Sequence, residues 1–355
     1  MRVVHVTATR PNLVKMAPVI AALRRRLPGS ATRIVHTGQH YDRVMSAIFF
    51  EELGIPAPDY VLGVGSGSHA EQIARVLDRL APVLREERPD LVIVPGDVNS
   101  TLGAALCAAK LGAAVAHVES GLRSFDRSMP EESNRIVADH LSSLCFLHCD
   151  DAIENLRAEG VEEERMKFVG NTMIDTLVAL EGRIRERNAA ASLGLERGGY
   201  LLVTLHRPAL VDGPLLFDAM ERLSEVGREL PVVFPVHPRT RKRLGCRSDP
   251  GVTLAEPVGY LDFLSLEIDA AAVLTDSGGI QEETTYLGIP CFTLRDNTER
   301  PVTIRAGTNT LLGLDPRRIA EIPELLRAAG GDLPGAPPLW DGRAAERVAD
   351  VLEDW

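Results

Sequence analysis

Long apolar runs are missing from this chain of 355 residues. An apolar stretch at residues 102–118 is interrupted by Gly103, Lys110, Gly112 and His117, and divides into a helix and a strand. Because a membrane-spanning helix needs about 20 consecutive apolar residues, we expect no membrane partner. The N-terminus begins with a strand-like run and has no signal-peptide pattern. We therefore expect a cytoplasmic protein.

Positive charge is also scarce, since 39 lysines and arginines face 50 aspartates and glutamates, for a net charge of −11 at pH 7. This balance argues against nucleic acid as a partner, but a local basic cluster could still bind an anionic small molecule.

Cysteine is scarce too, with five scattered residues. Cys145, His148 and Cys149 lie close together, but no second ligand pair has zinc-like spacing. We expect reduced cysteines and no metal.

What is present is enough apolar material for two cores, since 45% of the residues are hydrophobic and 25% are charged. Short apolar runs, such as residues 3–7, 91–94 and 113–118, alternate with longer amphipathic stretches. This alternation is typical of βαβ units and a parallel sheet. A second series of such runs begins near residue 200. The sequence therefore predicts an α/β protein with two doubly wound domains and a boundary near residues 170–195.

Capping signals predict where individual helices begin. Ser68 is followed three residues later by Glu71, which is a capping box, and it predicts a helix to about Glu87. Residues 329–338 are rich in glycine and proline and predict a linker to a last short helix at 342–353.

Cations follow the first predicted strand. Arg10 precedes a predicted helix at about residues 12–27, which would place Lys15 in the first turn. A cation there is unfavourable for the helix. The arrangement makes sense if an anion binds at this helix N-terminus, although a solvated pair of cations is the simpler alternative.

Carboxylates also follow predicted strands. Ligands bind beyond the carboxyl ends of parallel strands, and there Asp97 follows residues 91–94 and Glu119 follows residues 113–118. Glu131 opens another predicted helix. Two of them have a structural explanation, Asp97 as a helix cap and Glu131 as a partner of the helix dipole. Together they predict a cluster in which one carboxyl group acts as base or acid.

The second half carries a matching set of polar groups. His206 and Arg207 follow one predicted strand, and His237 follows the next. Residues 277–279, Ser-Gly-Gly, connect a strand to a helix, so their backbone N–H groups could bind a diphosphate. Glu283 lies one turn further and could accept hydrogen bonds from ribose hydroxyls. The sequence has no dinucleotide-binding or phosphate-loop motif in the proper place.

These motifs resemble those of the non-hydrolysing UDP-N-acetylglucosamine 2-epimerases. The resemblance covers most of the chain and rests on residues 96–101, 117–123, 130–135, 170–172 and 275–283. It implies a glycosyltransferase-B-like fold with the active site in the cleft between two Rossmann-like domains, and usually a homodimer. On this basis residues 1–172, with the C-terminal helix 342–355, form the N-terminal domain. Residues 173–338 form the UDP-binding domain.

The resemblance also implies a reaction and a set of site residues. UDP leaves C1 as a base removes the C2 proton, which gives a 2-acetamidoglucal, and UDP then adds back to give the manno epimer. No redox cofactor and no metal is implied. The implied catalytic residues are Asp97, Glu119, Glu131, His206, Arg10 and Lys15. The implied substrate-binding residues are Phe263 for uracil, Ser277, Gly278 and Gly279 for the diphosphate, Glu283 for ribose, and Arg300.

The sequence departs from the family pattern in two places, and one of them, at Tyr41 and Asp42, concerns regulation. Family members that substrate activates carry a second nucleotide-sugar site, and its remnants here are Gln39, His40, Arg207 and His237. Tyr41 and Asp42 stand where those members have Arg followed by Glu or Gln. The first motif also has Ala8 and Asn12 where Gly and Glu are common. We therefore predict weak or altered allosteric activation.

Three other functions fit parts of the pattern. A hydrolysing 2-epimerase would release UDP and N-acetylmannosamine from the same intermediate. A glycosyltransferase of the same fold would need an acceptor site, but not three carboxylates around C1 and C2. A non-catalytic nucleotide-sugar sensor would not need Asp97, Glu119 and Glu131, which are all present.

Overall fold

The computed structural model describes residues 1–38, 49–245, 249–328 and 335–355. The chain forms two compact units. The first comprises residues 1–179 and 338–355, and the second comprises residues 180–337. No helix within the described ranges is long and apolar enough to cross a membrane.

The first unit is built on a parallel sheet. Its strands are β1 (Arg2–Thr7), β2 (Ala31–His36), β3 (Tyr60–Val61), β4 (Leu91–Pro95), β5 (Ala114–Val118), β6 (Leu144–Leu147) and β7 (Met166–Phe168). They lie in the order β3-β2-β1-β4-β5-β6-β7. Every residue of β4 is buried, as expected for a strand that is covered on both faces. The strand order reverses between β1 and β4, and ligands bind at such switch points.

Helices connect these strands. They are α1 (Arg10–Arg26), α2 (His69–Glu87), α3 (Asn99–Lys110), α4 (Pro130–Leu141), α5 (Asp150–Ala158) and α6 (Thr172–Arg187), with a 3₁₀ turn at Glu163–Arg165. Helix α6 continues from the first unit into the second.

The second unit repeats this plan. Its strands are β8 (Leu201–Thr204), β9 (Val232–Pro235), β10 (Val252–Ala255), β11 (Ala272–Thr275), β12 (Cys291–Thr293) and β13 (Asn309–Leu311), in the parallel order β10-β9-β8-β11-β12-β13. Its helices are α7 (Ala189–Ser192), α8 (Pro208–Val211), α9 (Leu215–Val226), α10 (Pro238–Leu244), α11 (Tyr260–Ile268), α12 (Gly278–Leu287), α13 (Val302–Arg305) and α14 (Ile322–Ala328), with a 3₁₀ helix at Pro316–Glu321. The switch point lies between β8 and β11.

The last helix, α15 (Ala344–Asp354), belongs to the first unit. The backbone N–H groups of Ala344 and Ala345 donate to the two carboxylate oxygens of Asp175, at 3.0 and 2.6 Å. Just before this helix, the Trp340 indole N–H donates to the carbonyl of His148 at 2.8 Å. These contacts fasten the C-terminus to the first unit.

The predicted start of α2 is confirmed, whereas that of α1 was two residues too late. Ser68 and Glu71 form the predicted capping box. Helix α1 begins at Arg10 because Asn12 reaches back to the Thr9 backbone N–H (3.3 Å) and so caps an earlier turn. Lys15 is therefore in the second turn, and the prediction that it lies in the first turn was wrong.

Candidate functional site

The ends of β4 and β5 bring two predicted groups, Lys15 and Glu119, together. The two strands are in register, with Val94 opposite His117, so Gly96 and Glu119 lie side by side just beyond them. Lys15 reaches this point from α1 and forms a buried ion pair with Glu119. A Cβ atom on Gly96 would lie 3.3 Å from the Lys15 Nζ and 3.4 Å from a Glu119 oxygen. A side chain here would crowd this pair, and the φ of +62° at this position also favours glycine.

Glu119 itself has an unusual backbone. Its φ is +67°, a value that few residues other than glycine adopt. Such strained positions cluster at active sites. This conformation is therefore a second indication, besides the motif, that Glu119 is a functional residue.

Asp97 and Glu131 approach the same end of the sheet. Arg135 of α4 donates from Nε to Asp97 at 3.1 Å, and its Nη2 also binds this carboxylate. Glu131 lies four residues before Arg135, hence on the same helix face. It is half-buried, and its side chain makes no hydrogen bond or ion pair with the residues that the structure describes. Glu131 is thus the member of the predicted carboxylate set that is left without a local partner.

Glu132, the neighbouring carboxylate, has a different role. It is buried and accepts hydrogen bonds from the backbone N–H groups of Ser124 and Phe125, at 3.0 and 2.9 Å, and from the Ser124 hydroxyl at 2.8 Å. It also pairs with Arg135. Glu132 therefore holds the loop between Glu119 and α4 in place.

A buried network around Asp139 holds the segment after β5. His117 Nδ1 lies 2.6 Å from Asp139, and its Nε2 lies 2.6 Å from the Gly96 carbonyl oxygen. Arg123 donates to Asp139 at 2.8 Å. Burial alone would raise the pKa of Asp139, but the nearby His117 and Arg123 reverse the effect and lower it. Asp139 also accepts the backbone N–H of Gly121 at 3.2 Å and so fixes the segment that carries Glu119.

In the second unit, His206 and Asp276 face each other across the switch point. The buried Asp276 accepts the backbone N–H groups of His206 and Arg207 at 2.8 and 2.7 Å, and its other oxygen lies 2.9 Å from His206 Nδ1. Burial opposes ionisation of Asp276, yet these contacts lower its pKa. The His206 side chain is 53% exposed. With Nδ1 held by Asp276, Nε2 is the ring nitrogen available to a ligand.

The Ser-Gly-Gly segment opens α12 as predicted, with Ser277 as its N-cap and Gly278 as its first residue. A Cβ atom on Gly278 would lie only 2.4 Å from the Arg300 Nη1. Arg300 is buried and pairs with Glu299 and with Glu282, the latter at 3.1 Å. Gly278 therefore makes room for Arg300, whose charge is opposed by two carboxylates.

Glu283 lies in a buried acidic cluster with Glu267. The Tyr260 hydroxyl donates to Glu283 at 3.0 Å. Burial raises the pKa of Glu283 to about 8. Burial and the nearby Glu283 raise the pKa of Glu267 well above its usual range, and neither Glu267 oxygen has a hydrogen-bond partner among the described residues. Phe263, one turn beyond Tyr260 on α11, is half-buried.

Other predicted residues lie elsewhere or cannot be placed. The exposed Arg10 has its guanidinium carbon 5.9 Å from the centre of the Phe49 ring. The Arg207 Nε donates to the Asp276 carbonyl at 2.8 Å, and His237 is exposed after β9. Gln39 and His40 lie outside the described residues. Within the described ranges, no three metal-ligating side chains are grouped to hold an ion.

Several positioning residues were missed by the sequence reasoning. Asp276 directly precedes Ser277 at a strand end, a position that could have been noticed. Arg135 follows Glu131 by four residues, which is helical spacing. The sequence around Asp139 and Glu267 gives no sign of a role in the site, because that role depends on the residues that pack around them.

Comparison with known proteins gives a consistent answer. Residues 22–353 match a family model described as UDP-N-acetylglucosamine 2-epimerase. The UDP-N-acetylglucosamine 2-epimerase of Methanocaldococcus jannaschii is 42% identical, over 99% of both chains. The UDP-2,3-diacetamido-2,3-dideoxy-D-glucuronate 2-epimerase of Pseudomonas aeruginosa is 40% identical, also over 99% of both chains.

A solved structure agrees with these relatives. The crystal structure of the M. jannaschii UDP-GlcNAc 2-epimerase in complex with UDP-GlcNAc and UDP matches the whole of both chains, with a TM-score of 0.90 and 40% sequence identity. The predicted α/β, glycosyltransferase-B-like fold is thus confirmed. The chain belongs to the UDP-N-acetylglucosamine 2-epimerase family.

Proposed function

We propose that this protein interconverts UDP-N-acetylglucosamine and UDP-N-acetylmannosamine by inverting C2, without net hydrolysis. The observation that carries the proposal is the meeting of carboxylates from separate segments at one end of the first sheet, in a chain of this family. Asp97 and Glu119 each have a cation beside them, and Glu131 has none among the described residues. Carboxyl groups in such a set can serve as the base and the acid in chemistry on a sugar.

The proposed reaction is an elimination followed by an addition. A carboxylate of the first unit takes the proton from C2, the C2–H electrons form the C1=C2 double bond, and UDP leaves with the C1–O electrons. Protonation of C2 on the opposite face and attack of the UDP oxygen on C1 complete the epimerisation. Lys15 compensates the buried charge of Glu119 throughout.

The second unit is proposed to bind the nucleotide. The N-terminus of α12 at Ser277, Gly278 and Gly279 offers backbone N–H groups and a favourable dipole to the diphosphate. His206, oriented by Asp276, would stabilise the leaving phosphate oxygen. Glu283 would accept the ribose hydroxyls, and Phe263 would pack against uracil. Arg300 would act mainly by holding the loop that faces Gly278.

One relative favours a second candidate substrate. The P. aeruginosa protein is almost as similar to this chain as the M. jannaschii protein, and it is named for a diacetamido uronate. A UDP sugar with a 3-acetamido group is therefore the alternative to UDP-N-acetylglucosamine. The same C2 chemistry would apply to both.

Proton NMR in D₂O would test the reaction. We expect UDP-N-acetylglucosamine to give UDP-N-acetylmannosamine with deuterium at C2 and little free UDP. Free N-acetylmannosamine with UDP would assign the hydrolysing reaction. No exchange with this substrate, but exchange with the 3-acetamido uronate, would reassign the substrate.

Variants would test the proposed role of Glu131. Glu131→Gln should lower kcat by roughly a hundredfold or more, a typical contribution of general acid–base catalysis. Glu154→Gln, at an exposed carboxylate on α5, is the matched control and should leave kcat unchanged.

A further inference from the structure

Phe125 combines two unfavourable features. The residue is 77% exposed, more than any other large hydrophobic residue in the described ranges. Its φ is +58°, in the left-handed region that costs a residue with a side chain on the order of 1 kcal/mol or more. A surface residue with no role would not be expected to combine both.

Contacts on α4 hold Phe125 in this conformation. Its backbone N–H donates to the buried Glu132 at 2.9 Å, and Ser124 binds the same carboxylate through its N–H and its hydroxyl. Glu132 pairs with Arg135, and Arg135 also binds Asp97. The position of Phe125 is therefore coupled to that of a proposed catalytic carboxylate.

The place of Phe125 along the chain links it to the same chemistry. The segment that contains it begins at Glu119, beyond β5, and ends at Glu131, in the first turn of α4. Glu132, which receives the Phe125 N–H, is the residue next to Glu131. The backbone of Phe125 is therefore fixed to the first turn of α4, which carries Glu131 and Glu132.

We propose that Phe125 covers the apolar C–H face of the N-acetylhexosamine ring, retains the intermediate and keeps water from it. The inference rests on the proposed function. Once UDP has left, the 2-acetamidoglucal is uncharged, so apolar contact and hydrogen bonds are what can retain it. An aromatic ring supplies a large apolar surface, and exclusion of water suppresses hydrolysis of a reactive intermediate.

The test is the partition of the intermediate in Phe125→Ala and Phe125→Leu. One NMR sample, followed by ¹H and ³¹P spectra, gives the ratio of free UDP to UDP-N-acetylmannosamine. Taken as a ratio of initial rates, before epimerisation approaches equilibrium, this ratio does not depend on how much enzyme is folded. We expect Phe125→Ala to raise it roughly tenfold, which corresponds to about 1.4 kcal/mol of retention, and Phe125→Leu to raise it less.

The matched control is Phe217→Ala, at a phenylalanine of α9 that is 39% exposed in the other unit. It should leave the ratio unchanged. An unchanged ratio in Phe125→Ala, or an equal rise in the control, would overturn the inference.

Two further outcomes of these experiments can be told apart from an unchanged ratio alone. If Phe125→Ala alters the oligomeric state in light scattering but not the ratio, the ring contacts a second copy of the chain and the inference is wrong. If the wild type exchanges no deuterium into C2, the proposed function fails first and the inference fails with it. Epimerisation by the wild type with an unaltered ratio in the variant overturns the inference alone.

Discussion

At the scale of single residues, two of the three carboxylates of the candidate site in the first unit, Glu119 and Asp97, are balanced by a cation. Glu119 and Lys15 are both buried and in contact. Removing one partner of such a pair is costly, because the remaining charge stays in a poorly solvated place. The cation at position 15 is therefore expected to support the fold as well as the chemistry.

Replacement of Lys15 by Met should lower the free energy of unfolding by roughly 3 kcal/mol or more, measured by urea denaturation. The double variant Lys15→Met/Glu119→Gln should recover most of this loss, since no buried charge remains. Neither protein should be active. Equal stability of the single and double variants would contradict the account.

Nucleotide affinity should depend on pH through Glu283. Its pKa of about 8 leaves about one molecule in ten ionised at pH 7, and the ionised form is the stronger acceptor for ribose hydroxyls. The Kd for UDP should therefore fall about tenfold between pH 7 and pH 9, as measured by calorimetry. Glu283→Gln should bind UDP more weakly and with a flat profile over this range. A flat wild-type profile with weakened binding in Glu283→Gln would contradict the raised pKa, and a flat profile with unchanged binding in the variant would contradict the contact with ribose.

At the scale of elements, Asp175 of α6 caps the last helix. Burial raises the pKa of this carboxyl group from 3.8 to about 6, even though two backbone N–H groups favour its ionised form. A folded-state pKa above the unfolded value means that protonation favours the folded state. The stabilisation is complete below pH 4 and is lost as the pH rises to about 6.

Comparison with Asp175→Ser isolates this effect, because serine caps a helix without titrating. The unfolding free energy of the wild type minus that of the variant should fall between pH 4 and pH 6, by up to about 3 kcal/mol. Urea unfolding at four pH values in this window would measure it. A difference that stays level, or that rises with pH, would mean that the pKa of Asp175 is not raised.

The helices and strands were easier to predict than the roles of the site residues that they carry. Apolar runs in a doubly wound α/β fold are buried on both sides, so strands such as β4 and β11 could be located from hydrophobicity alone. The capping box at Ser68 worked because it is a local signal. The start of α1 was misplaced because Asn12 reaches back to Thr9 and caps the helix there. Residue types alone do not tell which of two neighbouring positions becomes the cap.

From the sequence, the residues of the site could be predicted only as those that follow the ends of strands. Residues after β4, β5 and β11 were identified because parallel strands deliver their carboxyl ends to one edge. The resemblance singled out Glu131, but their positions alone do not tell Glu131 from Glu132, since both lie in a first turn. Their different roles depend on the loop that returns to Glu132, which is a tertiary contact.

At the scale of the whole molecule, the chain passes from the first unit to the second and back again. It leaves the first unit within α6, after Ala179, and returns at Pro338 to form α15. Arg25 and Arg26 of α1 pair with acidic residues of α15. The stability of the first unit should therefore depend on the last residues of the chain, whereas the core of the second unit lies within residues 180–337.

Val348→Asp tests this dependence in the full chain. Val348 is fully buried on α15, so an aspartate there places an unpaired charge in the core of the first unit, at a cost of several kcal/mol. Amide hydrogen exchange should speed up in α1 and β1, whose protection depends on the local free energy of opening. Strands β8 and β11 should exchange as in the wild type.

The exposed Asp354 of the same helix offers the control, since Asp354→Asn removes a charge from solvent and should change neither unit. If Val348→Asp speeds exchange equally in both sheets, the two units open as one cooperative body, because damage in one core then reaches the other. If only the first sheet responds, each core is stabilised by its own packing. In that case the first unit, which carries the acid–base groups, can be destabilised while the second unit, which carries the nucleotide-binding groups, stays folded. The variant should then retain affinity for UDP after losing activity.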